Sequence, residues 1–334
     1  MDFRQFPKVE LHLHLDCSLS FDVVTKINPG IPFQDYADKF IAPSKCTNLA
    51  DFLTRATQGI RLMQSEKELG LVVADLFEQL KNDNILYAEI RFAPLQHMEN
   101  GLQAENVVEI VEEATAKAIE LTNIESRLIL CTLRHFSEAQ SLETVKLVKH
   151  FQGTRVAGFD IAADEAGFPI DEHLAAFHYA FDNKIPCTAH AGEARGPDSM
   201  WETLENFRPL RIGHGVKSIE DPELIEYLRK EGIHLEVCPS CNIQIDVFDQ
   251  YENHPINKLY ELGISLSVNT DTRTITNINL TEEYEKLHHV FGWGKDHFLK
   301  CNINAIRSSF INQNLKSNLI NRLKSEYHGL DLEA

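Results

Sequence analysis

His12-Leu13-His14 sets two imidazoles two residues apart, and His190, His214 and Asp271 follow at wide intervals, each near the end of a short apolar segment. Alternate residues of a β-strand point the same way, so a strand over 9–15 turns both histidines to one side and Leu11, Leu13 and Leu15 to the other. A lone His-x-His also arises at ordinary strand edges, and a lone buried histidine is most often a hydrogen-bonded core residue. Together the residues say more. Neutral imidazoles and a carboxylate are the donors that zinc or a similar divalent ion takes, and a position left open for water makes such a site hydrolytic. The sequence therefore assigns His12, His14, His190 and Asp271 as ligands of one Zn2+ per chain. His214 is assigned to hydrogen-bond the activated water, with a fifth-ligand role as the competing reading. Glu193 lies three residues past His190 across an Ala-Gly step. Glycine permits a tight turn there, and burial raises a carboxyl pKa toward the working range, so Glu193 is the candidate general acid. Its competing role is a loop salt bridge.

These residues need a scaffold that gathers strand ends. Eight short apolar segments occur at 9–15, 87–94, 126–134, 156–163, 186–191, 211–216, 233–239 and 265–271. Most precede an amphipathic stretch, as at 105–121, 141–151, 171–181, 221–230 and 256–262. Strands alternating with helices imply a parallel sheet with crossover connections, and eight such units close a TIM barrel. The expectation is an α/β (β/α)8 barrel over 1–334, a single hydrolase unit whose strand ends converge at the C-terminal mouth. The first connection, about 16–86, is longer than one crossover helix requires. Within it 20–27 and 49–83 read as helical, with Gly59 and Gly70 marking bends. Leu49, Phe52, Leu53 and Leu62 would give this insertion the apolar face of an active-site lid, the alternative being a peripheral helical layer. The stretches 305–310 and 314–326 read as helices packed on the barrel.

Composition narrows the partners. Across 334 residues, 50 acidic side chains outnumber 32 lysines and arginines, for a formal charge of -18, which disfavours nucleic acid and anionic membranes. No apolar run is long enough to span a bilayer, and the N-terminal MDFRQFPKVE has no signal-peptide core. Seven cysteines do not suggest a secreted disulfide framework, and the single Cys238-Pro-Ser-Cys241 pair reads as structural cysteines after a core strand. The expected setting is a reducing cytoplasm, and the expected oligomeric state a monomer or weak homo-oligomer.

Pro7-Lys-Val-Glu-Leu-His12-Leu-His14-Leu-Asp16, Phe159-Asp160-Ile-Ala, His190-Ala-Gly-Glu193, Arg211-Ile-Gly-His214-Gly, Leu235-Glu-Val-Cys-Pro239 and Ser267-Val-Asn-Thr-Asp271 occur in this order along nearly the whole chain. The set resembles the adenosine deaminase family of zinc-dependent amidohydrolase barrels. The resemblance implies hydrolytic deamination of a 6-aminopurine nucleoside, adenosine or 2'-deoxyadenosine, to the 6-oxo product and ammonia. It implies that Glu193 protonates ring N1 and that His214 and Asp271 orient the attacking water. Asp16 matches the aspartate near the ribose 5'-hydroxyl, where related adenine deaminases carry glutamate. Leu49 and Phe52 fall in the family's substrate lid. Three positions depart from the usual pattern. Cys17 and Ala163 stand where glycines are common, the second presenting its backbone N–H to purine N3, and Thr272 stands where many members have an aspartate facing N7. Arg273 then either receives an anionic or extended substrate or ties down its loop. Alternative readings are adenine or another 6-aminopurine derivative such as aminodeoxyfutalosine, or an ester or lactone hydrolase. The last would favour two metals and a strand-four lysine, a place held here by Phe159-Asp160-Ile-Ala.

Overall fold

The computed structural model describes residues 2–330, so the ends of the 1–334 unit, residue 1 and residues 331–334, lie outside the described residues. Eight strands alternate with helices: β1 Lys8–His14, β2 Ile85–Phe92, β3 Glu125–Leu133, β4 Val156–Ala162, β5 Thr188–Ala191, β6 Arg211–His214, β7 His234–Val237 and β8 Leu266–Val268. All pair in parallel, in two runs, β1 to β4 and β5 to β8. Two bridges join the runs. Phe159 pairs with Cys187 between β4 and β5, and Leu13 pairs with Asp271 between β1 and the segment after β8. The sheet thus closes into the expected barrel. No described helix is long and apolar enough to cross a membrane.

Outside the barrel the helices Ala104–Thr122, Glu138–His150, Leu174–Asp182, Pro197–Phe207 and Pro222–Glu231 cover successive crossovers. Their starts follow from local chemistry. Ser137 and Gln140 form a reciprocal capping box, and Asp221 accepts from the N–H groups of Glu223 and Leu224 ahead of Pro222. The C-terminal stretch read at 305–310 is the end of a longer helix, Lys295–Ser308. It is preceded by Leu280–Phe291, which the periodicity did not single out, and followed by Gln313–Gly329.

Between β1 and β2 the insertion carries a 3-10 turn, Leu15–Cys17, then the helices Phe21–Ile27, Phe33–Phe40, Leu49–Leu53, Ala56–Arg61 and Glu66–Asn82. The stretch at 49–83 breaks, but not at its glycines. Gly70 lies inside Glu66–Asn82, and the breaks fall before Ala56 and after Arg61. Gly59 serves close packing instead, since a Cβ there would lie 2.5 Å from the Asp16 carbonyl oxygen. Residues 41–46 are pinned across the barrel mouth. Ala42 N–H donates to Ile275 O (2.9 Å) and Cys46 N–H to Gln244 O (2.7 Å), while Gln244 Nε2 donates to Ala42 O and Pro43 O.

The barrel interior is ionic where the chemistry will sit. Arg91 bonds Asp160 (2.7 Å) and Glu236 (2.6 Å), and Arg211 bonds Glu236 and Glu89 (2.6 Å each), all five side chains fully buried. Arg273 is a structural tie. Its Nη2 bonds Glu10 (2.7 Å) and Asp83 (2.9 Å), locking the loop after β8 to β1 and to the residue that follows helix Glu66–Asn82. Removing one partner from a buried ion pair leaves uncompensated charge. Arg273→Ala is expected to lower unfolding free energy by about 3–5 kcal/mol, read from urea denaturation midpoints at constant m. A loss under about 1 kcal/mol would contradict the tie.

Candidate active site

Three residues at the barrel mouth sit in the left-handed backbone region: Ala163 (φ 78), His214 (φ 62) and Asp271 (φ 65). Each such position costs a non-glycine residue on the order of 1 kcal/mol and persists only where its surroundings fix it. For Asp271 the fixing bonds are explicit, because His14 N–H donates to Asp271 O (2.8 Å) and Asp271 N–H donates to His12 O (3.0 Å). The barrel closure itself therefore carries the carboxylate to the two histidines of β1.

The four sites on β1, β5, β6 and after β8 meet. The candidate ligand atoms of His12, His190, His214 and Asp271 all lie within 4.8 Å of one another. His14 Nε2 is 3.2 Å from His190 Nε2 and 3.4 Å from Asp271 Oδ1. Carboxylates behind the rings set which nitrogens face the centre. His12 Nδ1 donates to Glu236 (2.9 Å) and His190 Nδ1 to Asp160 (3.1 Å). Burial alone would raise both acids. The charges of Arg91 and Arg211 hold Glu236 to about 2, and the His190 imidazole together with the charge of Arg91 holds Asp160 to about 2. With protons fixed on Nδ1, both rings turn the Nε2 lone pair inward, the arrangement that outer carboxylates give metal-binding histidines.

Burial pushes the His12 imidazole pKa well down and that of His14 down to about 4, so both are neutral near pH 7. Asp271 stays ionised. Burial opposes this, but the surrounding imidazoles of His12, His214 and His14 hold its carboxyl well below the ordinary range. His12 Nε2 is buried without a hydrogen-bond partner, although Asp271 Oδ1 is only 3.2 Å away. Converging lone pairs, an anion and an orphaned buried nitrogen fit a cation, and the cluster can chelate a divalent metal.

Glu193 is buried beside this cluster, with Oε1 3.4 Å from His214 Nε2. Burial first, then the charges of Asp271 and Glu165, push its carboxyl well above the ordinary range, toward the protonated form. Glu165 also builds the loop. Its carboxylate accepts from the backbone N–H groups of Gly192 (2.8 Å), Glu193 (3.0 Å), Ala194 (2.6 Å) and Arg195 (2.9 Å), and from Ser199 Oγ (2.6 Å). Sequence reasoning missed Glu165, which carries no spacing signal. The roles of Asp160 and Glu236 were missed too, although an acid inside the apolar run of β7 was a visible hint.

A cavity opens on the cluster, lined by His14, His190, Glu193, His214, Asp271 and Thr272, with Ala163, Cys17, Leu49, Phe52 and Leu53 completing the wall. Leu49 and Phe52 thus reach the site, whereas Leu62 packs on the main barrel core. Asp16 is placed differently. It lines a small adjoining space with Arg55 and Gly59, and Cys17 borders both cavities. Asp16 is not a helix cap, since Ser20 caps Phe21–Ile27. Its Oδ2 lies 3.8 Å from His97 Nε2. Thr272 Oγ1 bonds Thr276 within its own loop (2.8 Å), and Arg273, tied to Glu10 and Asp83, does not line the main pocket. Cys238 and Cys241 are buried free thiols that follow β7, and the pair also opens a short helix, Pro239–Gln244.

A parallel barrel with histidines and an aspartate gathered at its C-terminal mouth, and a helical insertion after the first strand, defines a metal-dependent amidohydrolase. The family model described as adenosine deaminase matches residues 7–326, and the chain belongs to that family. It is 36% identical over 324 residues to an adenosine deaminase of Clostridium acetobutylicum, covering 95% of this chain and 97% of that protein. The fold is similar to an adenine deaminase from Arthrobacter aurescens (TM-score 0.88, 24% identity, 96% of this chain and 98% of that one). It is likewise similar to an N6-mAMP deaminase of Arabidopsis (TM-score 0.87, 24% identity, 97% and 100%). The protein is an enzyme of the deaminase type, acting on an aminopurine by metal-assisted hydrolysis.

The buried neutral histidines make a pH prediction. Burial lowers His234 and His254 to about 3 from the ordinary 6.5. The unfolded chain takes up their protons first, so the stability present above about pH 6.5 is lost as pH falls toward about 3, by up to about 1.4 kcal/mol per pH unit per histidine. Urea midpoints of the metal-free protein are expected to fall steadily from about pH 7 to about pH 5. A flat profile would show that these groups are protonated alike in both states.

Proposed function

We propose that the enzyme holds one Zn2+ on His12, His14, His190 and Asp271 and deaminates adenosine, and 2'-deoxyadenosine, to the 6-oxo nucleoside and ammonia. The observation that carries this reading is the pairing, in one pocket, of an inward-facing lone-pair and carboxylate cluster with a separately buried Glu193 whose carboxyl is pushed toward the protonated form. A zinc ion in such a cluster supplies a water of lowered pKa as nucleophile. The chain's residues supply the rest. Glu193 donates its proton to ring N1, drawing electron density from C6 as the attack begins, and a buried protonated carboxyl is suited to that task. His214 and Asp271 orient the water toward C6. The Ala163 backbone and Thr272 flank the ring, while Leu49 and Phe52 exclude bulk solvent from above.

Support for a nucleoside over the free base comes from Asp16, a carboxylate at the far end of the pocket and a natural acceptor for a sugar hydroxyl, and from the name of the 36%-identical relative. The cavity over the cluster and the space that holds Asp16 share Cys17 as a border, so a base in the first would direct an attached sugar toward the second. The ligand is a small molecule, and the pocket has no basic rim that would call for nucleic acid.

The substrate is tested by ammonia release from a panel of 6-aminopurine nucleosides, the free bases and the 5'-monophosphates, with zinc quantified in each preparation. Adenosine and 2'-deoxyadenosine are expected to exceed adenine and adenosine monophosphate in kcat/KM by at least about 100-fold. Preference for the free base would move the assignment to adenine, and ester cleavage without deamination would refute the whole reading.

Glu193→Gln keeps the volume and removes the transferable proton. It should lower kcat by about 10²–10⁴-fold while zinc stays at one per chain. Loss of zinc in this variant would mean that Glu193 belongs to the metal cluster and not to proton transfer.

A further inference from the structure

His214 differs from its neighbours in what lies behind it. The Nδ1 atoms of His12 and His190 face carboxylates, but His214 Nδ1 faces the amide of Asn242 (3.1 Å), whose other end faces His254 Nε2 (3.2 Å). His254 Nδ1 in turn receives the backbone N–H of Ile256 (3.2 Å). A backbone N–H can only donate, so His254 Nδ1 is an acceptor and the ring's proton is on Nε2. That proton is donated to Asn242 Oδ1, which turns Asn242 Nδ2 toward His214 and makes His214 Nδ1 an acceptor. Flipping the amide fails, because His254 would then accept at both nitrogens and carry no proton at all. All three side chains are buried, so water offers no easy substitute partner.

From this one-way chain, Ile256 to His254 to Asn242 to His214, we propose that Asn242 and His254 are positioning residues that hold His214 in the Nε2–H form. His214 therefore presents a donor where His12 and His190 present lone pairs. The inference rests on the proposed role of His214 in orienting the attacking water and explains how one mouth can hold ligating and non-ligating histidines of the same residue type. It also selects between the two roles left open for His214: a nitrogen that carries its proton inward is a hydrogen-bond donor and not a fifth ligand. Glu193 Oε1, 3.4 Å from that nitrogen, lies on the side it addresses. Burial keeps His254 neutral, lowered to about 3, so its place in the chain persists at neutral pH.

The test uses the full-length zinc-loaded protein labelled with 15N-histidine, whose ring nitrogens report the tautomer without substrate. Wild-type His214 should show the Nε2–H pattern. Asn242→Asp replaces the donor by a carboxylate, as behind His12 and His190, and should move the His214 proton to Nδ1. In the same variant kcat should fall at least about tenfold, with KM within about twofold and zinc retained. His254→Gln keeps an N–H donor toward Asn242 and should preserve both the tautomer and kcat, whereas His254→Leu should lose both.

A wild-type His214 in the Nδ1–H form would overturn the inference, and so would an unchanged spectrum and kcat in Asn242→Asp. Should Asn242→Asp not fold, the Gln and Leu variants at 254 decide the matter: equal spectra in the two overturn it. If no aminopurine is deaminated by the wild type, the functional reading fails while the tautomer measurement still stands or falls by itself.

Discussion

The buried charge network inside the barrel is the constraint on which the site depends. Glu236 is held by both Arg91 and Arg211, and Asp160 by Arg91, so these two acids remain ionised in a water-excluded interior. Only an ionised acid obliges the imidazole in front of it to carry its proton on the facing nitrogen. Two arginines, on β2 and β6, thereby determine which atoms of His12 and His190 look into the mouth. An apolar filling of the same volume would satisfy barrel packing at least as well, since buried ion pairs seldom add stability over hydrophobic replacements. The network is better understood as an orienting device whose desolvation cost the rest of the fold offsets.

Orientation recurs at the next level out. The loop bearing Glu193 has four successive backbone N–H groups directed at the single Glu165 carboxylate. This concavity of amides around an anion fixes the loop that bears the Glu193 carboxyl. The same charge also discourages ionisation of Glu193, second to burial and alongside Asp271. One side chain thus serves geometry and protonation together. The left-handed conformations of His214, Asp271 and Ala163 complete the pattern, with backbone strain placed at the mouth and held by the surrounding ladder.

The barrel was legible because its signal is repetitive. Eight apolar segments alternating with helices survive errors of one or two residues at each boundary, and residues closing those segments must converge once the sheet closes. The insertion was harder. Periodicity through 49–83 suggested bends at Gly59 and Gly70, yet Gly59 is a contact requirement against Asp16 and Gly70 is an ordinary helix position. What glycine does depends on what approaches it, and sequence spacing does not carry that. Arg273 was ambiguous for a related reason: its partners Glu10 and Asp83 lie far away in the chain. Glu165, Asn242 and His254 were invisible as site residues because each acts through another group. Types and intervals identify the atoms able to react more readily than the atoms that aim them.

The divergent positions of the pocket wall bear on selectivity more than on chemistry. At Ala163 the left-handed backbone is retained although the residue has a side chain, so the N–H can point as a glycine's would while a methyl group narrows the approach. Cys17 stands between the main cavity and the space that contains Asp16 and Arg55, its thiol donating weakly to Asp16 (3.7 Å). Burial and the neighbouring carboxylates keep that thiol protonated, so its influence is volume and polarity and not nucleophilic reactivity. The reacting machinery and the selecting machinery are therefore separable. In the proposed reading the barrel's charges set from beneath which nitrogens face the metal cluster, and residues on the wall and roof select the aminopurine.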